Sequence, residues 1–285
     1  DNILSLLPFE ILILNDGKFL IDRFKISYLT TGRDLIYLLK LLNTSPKREA
    51  IIIANPDFNL CESDESLEEI SNSDDIYSYY FEPLEWAEEE ARRIKEILKN
   101  RGFRVNIITG EEAVKQKIKQ ICSPTILHIA THGIFLPPKT RAPQNICSMI
   151  DGSYMRSGLV LSGYNSIALG RRVPPSVEGG VLTALDIREM NLLGTELVVL
   201  SACNTGRGMI FPWEGVFGLR RAFMLAGAKT LVMSLWQVPD KETRMLMEDF
   251  YRNLLSGMDK AEALRQAQLK LKKEKPHPYY WGGFI

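Results

Sequence analysis

The chain has 285 residues, and its 35 Lys and Arg residues balance 35 Asp and Glu residues, so its formal net charge is zero. Such a chain has no long-range positive field to attract nucleic acid or an anionic membrane, and we expect neither as a direct partner. No run approaches the roughly 18 apolar residues of a membrane helix. The cysteines show no C-x-x-C spacing, which argues against a zinc site and a disulfide framework. We therefore expect a reduced, cytoplasmic globular protein that needs no metal and no cofactor.

The first hundred residues predict alternating strands and helices, interrupted by one acidic segment. Short strands are expected at 10–14, 23–29 and 49–54, and helices at 34–42 and 83–99. The segment 57–81 is rich in Ser, Asp and Glu, which is typical of a flexible surface loop. A role of this acidic loop in binding a partner is the alternative.

The rest of the chain continues the alternation, with one long interruption. Strands are expected at 104–108, 125–132, 197–201 and 230–236, and helices at 111–121, 183–190, 215–226, 241–255 and 261–273. Residues 134–180, apart from a short strand at 158–161, are predicted as long loops that wall a substrate groove. The alternation predicts an α/β fold with a mainly parallel sheet covered by helices on both faces, a three-layer sandwich.

Two of these strands end in reactive side chains. The apolar run Leu197–Leu200 gives way to small and turn-forming residues around Cys203, and the strand that begins at Thr125 ends at His132 and Gly133. Open α/β sheets bind ligands beyond the carboxyl ends of their strands. If the two strands are neighbours, a thiol and an imidazole meet at one edge, which is the pairing that a cysteine nucleophile needs.

Each of these residues also has a simpler explanation. A buried cysteine at a strand end is most often a small core side chain, and a histidine in a Thr-His-Gly turn can merely bind the backbone. The context of Cys203 favours reactivity, because the small residues after it would present the sulfur at the sheet edge. His128 lies within a strand, and we interpret it as a core residue or as one that supports the site from behind.

The pairing predicts a specific chemistry. His132 assists thiolate formation, and Cys203 attacks a peptide carbonyl. The resulting oxyanion lies near the backbone N–H groups of Gly133, which has no Cβ to block a substrate, and of Cys203. His132 then protonates the leaving amine. No third group is evident in the sequence, so backbone groups would have to hold the imidazole.

Several short motifs occur in an order that resembles one known family. They are Leu7-Pro-Phe-Glu10, His128-Ile-Ala-Thr-His-Gly133, Leu200-Ser-Ala-Cys-Asn-Thr-Gly206, Leu231-Val-Met-Ser-Leu-Trp-Gln-Val-Pro-Asp240 and His277-Pro-Tyr-Tyr-Trp281. Together they resemble the CHAT family of caspase-like cysteine peptidases, which are related to separase and often fused to tetratricopeptide repeats. The resemblance covers nearly the whole chain, so we expect a single domain over 1–285 that lacks the upstream part usual in the family.

The resemblance implies a caspase-type sheet, a cytosolic location and a catalytic pair at His132 and Cys203. Both residues are present, so the chain does not look like a degenerate relative. The resemblance also implies a tetratricopeptide-repeat or other regulatory module as partner, and some relatives act in bacterial defence.

The resemblance also suggests a substrate. In the caspase-like group, one strand carries the catalytic cysteine, and the segment after the next strand lines the pocket for the substrate residue that precedes the cut. In separase-like members, an acidic residue in that segment suits a substrate Arg or Lys. Asp240 falls at that position, which implies a protein substrate cut after a basic residue. The alternative is that Asp240 is the N-cap of the next helix. Trp236 either walls the pocket or belongs to the core, and Asp186 is a weaker acidic candidate.

Two other classes of function stay open on the sequence alone. A catalytically silent module that keeps the fold would use its loops and the acidic segment to bind a partner. A cysteine-dependent acyl transferase or amidase would act on a small molecule, although long groove-forming loops favour a polypeptide substrate.

Overall fold

A computed structural model describes residues 7–29, 47–62, 79–135, 157–201 and 212–285. The strands in these residues are β1 (Glu49–Pro56), β2 (Arg104–Gly110), β3 (Ile126–Ala130), β4 (Gly133–Phe135), β5 (Ser157–Val160), β6 (Val181–Thr183), β7 (Leu197–Leu200) and β8 (Leu231–Met233). The main sheet is parallel and has the strand order β2-β1-β3-β7-β8. A second, antiparallel sheet has the order β4-β5-β6.

Helices connect these strands and cover the sheet. They are α1 (Leu20–Arg23), α2 (Ala87–Lys99), α3 (Lys115–Lys119), α4 (Tyr164–Ala168), α5 (Ala184–Glu189), α6 (Pro212–Leu225), α7 (Asp240–Leu255), α8 (Lys260–Glu274) and α9 (Pro278–Trp281). Short 3-10 turns are found at Phe9–Ile11 and Pro175–Val177.

Both faces of the main sheet are covered, which confirms the predicted three-layer α/β class. One face packs against α2, α7 and α8 through alternate strand residues such as Ile52, Ala130 and Val199. The other face packs against α3, α5 and α6 through Ile129 and Leu200. This two-sided burial explains why β3 and β7 are continuous apolar runs, apart from His128, instead of alternating polar and apolar residues.

The register between β3 and β7 defines the edge at which their carboxyl ends meet. Ile129 is the partner of Leu200, and the Ser201 N–H donates a 2.9 Å hydrogen bond to the carbonyl of Ile129. The start of α2 lies at the same edge, because Asn55 at the end of β1 accepts a hydrogen bond from the N–H of Leu84. Polar residues that follow these strands are therefore gathered at one end of the sheet.

The predicted aromatic tail packs on the core. Trp281 and Phe284 are fully buried, and the backbone groups of Ile285 and Met233 exchange two 3.0 Å hydrogen bonds. The tail thus lies against the outer edge of β8, which leaves less of that edge strand open to pairing with another chain.

The strands predicted at 10–14 and 23–29 are wrong. Residues Phe9–Ile11 form a 3-10 turn after Pro8, and a single bridge joins Ile13 to Phe19. Instead of joining a sheet, this region lies against α8: Arg265 donates to the carbonyls of Ile21 and Asp22 in α1. In the segment after α1, Lys25 pairs at 2.8 Å with Asp259, the N-cap of α8. The alternating pattern was present, but these segments have no strand edge to pair with in the part of the chain that the structure describes.

The loop predicted over 134–180 is also partly wrong. Its described residues form β4, β5, α4 and a 3-10 turn, and Tyr164 and Val177 are fully buried. Gly and Pro residues suggested a loop, whereas Gly163 adopts a positive φ of 83° that starts α4. The remainder of this segment lies outside the described residues, as do the helix predicted at 34–42 and the middle of the acidic segment 57–81.

Candidate functional site

The backbone at His132 is fixed between the two sheets. His132 lies two residues after the end of β3, at Ala130, and directly precedes the first residue of β4, Gly133. Its carbonyl accepts a 2.8 Å hydrogen bond from the N–H of Val160, and the hydroxyl of the preceding Thr131 donates to the Val160 carbonyl at 2.6 Å. The sequence prediction that His132 stands at the carboxyl edge of its strand therefore agrees with the geometry.

A main-chain carbonyl orients the imidazole of His132. The Nε2 atom lies 2.7 Å from the carbonyl oxygen of Glu82. A carbonyl can only accept a hydrogen bond, so Nε2 carries the proton and the lone pair of the neutral ring is on Nδ1. The ring thus has a defined tautomer, with Nδ1 able to accept a proton.

Two aromatic rings shield this imidazole from water. The ring centroid of Phe58 lies 5.2 Å from that of His132, and the centroid of Phe81 lies 5.0 Å away. His132 is only 3% exposed. Burial lowers the pKa of His132 below 6.5, and the hydrogen bond to Glu82 opposes that shift in part. The ring is therefore kept neutral, as a proton acceptor must be.

Cys203 lies outside the described residues, together with its neighbours 202–211. The adjoining strand register is described, however, and it aligns Ile129 with Leu200. His132 follows Ile129 by three residues, and Cys203 follows Leu200 by three residues. The two predicted reactive residues thus stand equally far along the chain from one aligned pair on adjacent parallel strands.

Asp240 begins α7 at the same end of the sheet, after β8. Pro239 occupies the N-cap position, and no side chain caps this helix, so the alternative that Asp240 is the N-cap is wrong. Burial raises the pKa of Asp240, and the negative charges of Glu90 and Glu85 raise it further. Arg244, one turn along, is paired with Glu248 at 2.7 Å. Asp240 is therefore a partly buried carboxylate among like charges.

Trp236 is held by the C-terminal segment. Its Nε1 donates a 2.9 Å hydrogen bond to the carbonyl of Tyr279, and its ring packs closely on Gly283. The side chain stays partly exposed at the margin of the core between the sheet and α7. These contacts give Trp236 a packing role and leave one part of the ring accessible.

Asp186 has structural partners of its own. Its carboxylate accepts hydrogen bonds from the N–H and hydroxyl of Thr183, which caps α5 in return, and it pairs with Lys115 at 2.8 Å. Burial alone would raise the pKa of Asp186, but the bonds from Lys115 and Thr183 hold it below the ordinary value. These contacts account for an acidic residue at this position without a substrate.

His128 lies in the core, as the sequence suggested. Its Nδ1 is 3.2 Å from the hydroxyl of Tyr251, and its Nε2 lies 2.9 Å from Glu90 Oε1 without the alignment of a hydrogen bond. All three side chains are buried between β3, α2 and α7. Among the described residues, no group of His, Cys, Asp and Glu side chains could hold a metal ion.

Three groups at this site were not found by sequence analysis. The Glu82 carbonyl carries no sequence signal, because every residue has one. Phe58 lies next to the first residue of the acidic segment and Phe81 is its last residue, and both are almost fully buried. Large aromatic residues at the margins of a polar segment indicate that its ends are packed against the core, and this was the signal that could have found them.

These features define a three-layer, mainly parallel α/β domain with a shielded imidazole at the carboxyl edge of its sheet. The model of the CHAT domain family matches residues 1–285, and the chain belongs to that family. The predicted family is therefore confirmed.

The curated relatives are tetratricopeptide repeat proteins. Tetratricopeptide repeat protein 28 of Mus musculus is 30% identical over 213 residues, and that of Homo sapiens is 30% identical over 217 residues. Each match covers 71% of this chain and 8% of the relative, so the chain spans only a small part of their length. The crystal structure of the Arg-specific cysteine proteinase gingipain R superposes with a TM-score of 0.48 at 8% identity, over 90% of this chain and 51% of that one.

None of the helices in the described ranges has the length and apolar character that crossing a membrane requires.

Proposed function

We propose that this domain is a cysteine endopeptidase in which His132 is the general base and Cys203 the nucleophile. The observation that carries the proposal is the equal spacing of His132 and Cys203 from the aligned pair Ile129 and Leu200. The tautomer of His132 supports it, because a proton on Nε2 leaves the ring lone pair, which would take the thiol proton, on Nδ1.

The reaction follows from these roles. The Sγ–H proton of Cys203 moves to Nδ1 of His132 as Sγ attacks the peptide carbonyl carbon. The N–H groups of Gly133 and Cys203 stabilise the oxyanion. His132 returns the proton to the amide nitrogen, the C–N bond breaks, and an acyl-enzyme remains. Water, losing a proton to His132, then releases the carboxylic acid and restores the thiol.

Asp240 supports a preference for substrates with a basic residue before the cut. Its carboxylate is partly buried, and the charges of Glu90 and Glu85 oppose its ionisation. A lysine or arginine side chain brought into this site would relieve the repulsion and form a charge-assisted hydrogen bond. The accessible part of Trp236 would pack against the aliphatic part of that side chain.

A tetratricopeptide-repeat module is the proposed regulator. The support is that both curated relatives are tetratricopeptide repeat proteins. A peptidase in a reducing cytosol, where a Cys203 thiol would stay reduced, needs such control because uncontrolled cleavage would damage the cell.

The test uses the domain in the full chain in which it occurs. A peptidyl acyloxymethyl ketone with arginine next to the electrophile should label the wild type but not Cys203→Ala, while Cys122→Ala, which removes an exposed cysteine, should label normally. Mapping of cellular cleavage sites should give cuts after Arg or Lys that depend on Cys203. No Cys203-dependent labelling would favour the catalytically silent interaction module, and cuts only after Asp would refute the basic preference.

A further inference from the structure

The short helix α4 contacts one of the two segments that hold His132 through two buried side chains. The ring of Tyr164 packs edge-on against that of Phe81, with centroids 5.0 Å apart, and Asn165 binds the main chain of the same residue. Asn165 is fully buried. Its Nδ2 donates a 2.8 Å hydrogen bond to the carbonyl of Phe81, and its Oδ1 accepts a 3.0 Å hydrogen bond from the N–H of the same residue. Asn165 therefore binds both main-chain groups of the residue that precedes Glu82.

The start of the same helix also holds the second segment. The N–H of Asn165 donates to the carbonyl of Phe58 at 2.8 Å, and the N–H of Gly163 donates to the carbonyl of Asp57 at 2.9 Å. The Asn165 amide reaches Asn59 Oδ1 at 3.0 Å, and the hydroxyl of Ser166 donates to the Asn59 carbonyl at 2.8 Å. Both aromatic residues that enclose the imidazole thus depend on α4.

We propose that Asn165 is a positioning residue for His132. By fixing the peptide groups of Phe81, it sets the place of the adjoining Glu82 carbonyl, which in turn orients the imidazole. The catalytic consequence rests on the proposed peptidase function, whereas the effect on the ring of His132 does not.

The chemistry of the amide explains why asparagine suits this position. A carboxamide has a donor and an acceptor side by side, which match the N–H and C=O of one residue. An aspartate keeps the acceptor but brings negative charge against the Phe81 carbonyl. An alanine leaves both main-chain groups without these buried partners, so the segment would shift to find others. A displacement of about 1 Å is enough to reduce catalysis by about 100-fold.

The first experiment reads the imidazole directly and needs no activity. In a Cys203→Ala background with ¹⁵N-labelled histidine, His132 should show the Nε2–H tautomer above its pKa. Asn165→Ala should convert this signal to a mixture of tautomers, and Asn165→Asp should do so in part. Ser162→Ala is the matched control, because it removes a buried hydrogen bond to the carbonyl of Gly110 just before α4 without touching Phe81, and it should leave the tautomer unchanged.

The second experiment measures peptide cleavage with Cys203 restored. Asn165→Ala should lower kcat by about 100-fold with little change in KM, and Ser162→Ala should stay within about 2-fold. An unaltered Nε2–H signal in any folded Asn165 variant overturns the proposal. Failure of both Asn165 variants to fold, when Ser162→Ala folds, also overturns the proposal, because Asn165 would then serve stability alone. An inactive wild type refutes the peptidase function. In that case the tautomer measurement still tests whether Asn165 positions the ring of His132.

Discussion

The imidazole of His132 and the main-chain carbonyl of Glu82 are joined by a 2.7 Å hydrogen bond, although the two residues are 50 positions apart in the sequence. A backbone carbonyl can orient a ring as a carboxylate does, but it contributes no full negative charge to stabilise an imidazolium. The side chain of Glu82 is exposed, so the main-chain carbonyl of this residue orients the ring without its carboxylate.

Glu82→Ala should therefore be nearly silent. The substitution removes an exposed carboxylate and keeps the main-chain carbonyl. We therefore expect kcat/KM to change by no more than about 2-fold and the free energy of unfolding by no more than about 0.5 kcal/mol. Steady-state kinetics and chemical denaturation measure the two quantities. His132→Gln is the comparison that should abolish cleavage. A large loss of activity in Glu82→Ala alone would show that the side chain takes part.

The depressed pKa of His132 should depend on Phe58. In Phe58→Ala, water reaches the ring, so the pKa should rise toward 6.5, whereas Phe58→Leu keeps the apolar contact and should keep the pKa low. NMR titration in the Cys203→Ala background measures both values. Since neutral imidazole is the active form, the acid limb of the wild-type pH profile should lie at lower pH than that of Phe58→Ala. Equal pKa values in the three proteins would contradict shielding by Phe58.

Asp240→Asn should weaken recognition of basic side chains. Loss of a charge-assisted hydrogen bond should reduce the preference for arginine over its neutral analogue citrulline by about 10- to 100-fold in kcat/KM. Glu242→Gln is the matched control, because it removes a carboxylate in the same helical turn that lies 3.4 Å from Lys275. This variant should leave the preference for arginine unchanged.

The same preference should depend on pH. Because the pKa of Asp240 is raised, its carboxylate should lose charge at a higher pH than an ordinary aspartate, whose pKa is 3.8. The arginine-to-citrulline ratio should therefore fall with acidification before an ordinary aspartate would titrate. A ratio that is constant across this range in the wild type would exclude Asp240 as the recognition group.

Asp186→Ala should lower stability without changing specificity. It removes the bonds to Thr183 and the 2.8 Å ion pair with Lys115, so the free energy of unfolding should fall by about 1–2 kcal/mol. The folded-state pKa of Asp186 is depressed, so its contribution is present above pH 3.8 and is lost as the pH falls through the folded value. Denaturation at neutral and acid pH measures this difference, and a changed preference for basic residues would contradict the assignment.

Much of the fold could be read from local patterns, and the failures have a common cause. The strands β3 and β7 were found because each is an apolar run bounded by turn-forming residues. The segments 10–14 and 23–29 showed strand-like alternation, but a strand also needs a neighbouring edge, which local sequence does not reveal. The helix α4 was missed for the converse reason, because its five residues are stabilised by long-range contacts such as those of Asn165.

The sequence by itself determined the three-layer class, because strands that are apolar on both faces must be covered on both sides and helical segments alternate with them. It also determined which predicted strands are followed by a thiol, an imidazole and a carboxylate. Only the tertiary structure decided that β3 lies beside β7 with Ile129 opposite Leu200, and that the Glu82 carbonyl, Phe58 and Phe81 surround His132. The physical reason is that main-chain carbonyls and hydrophobic rings occur throughout the chain, so local sequence does not distinguish the ones that contact His132. Their roles depend on which distant segment the fold brings against them.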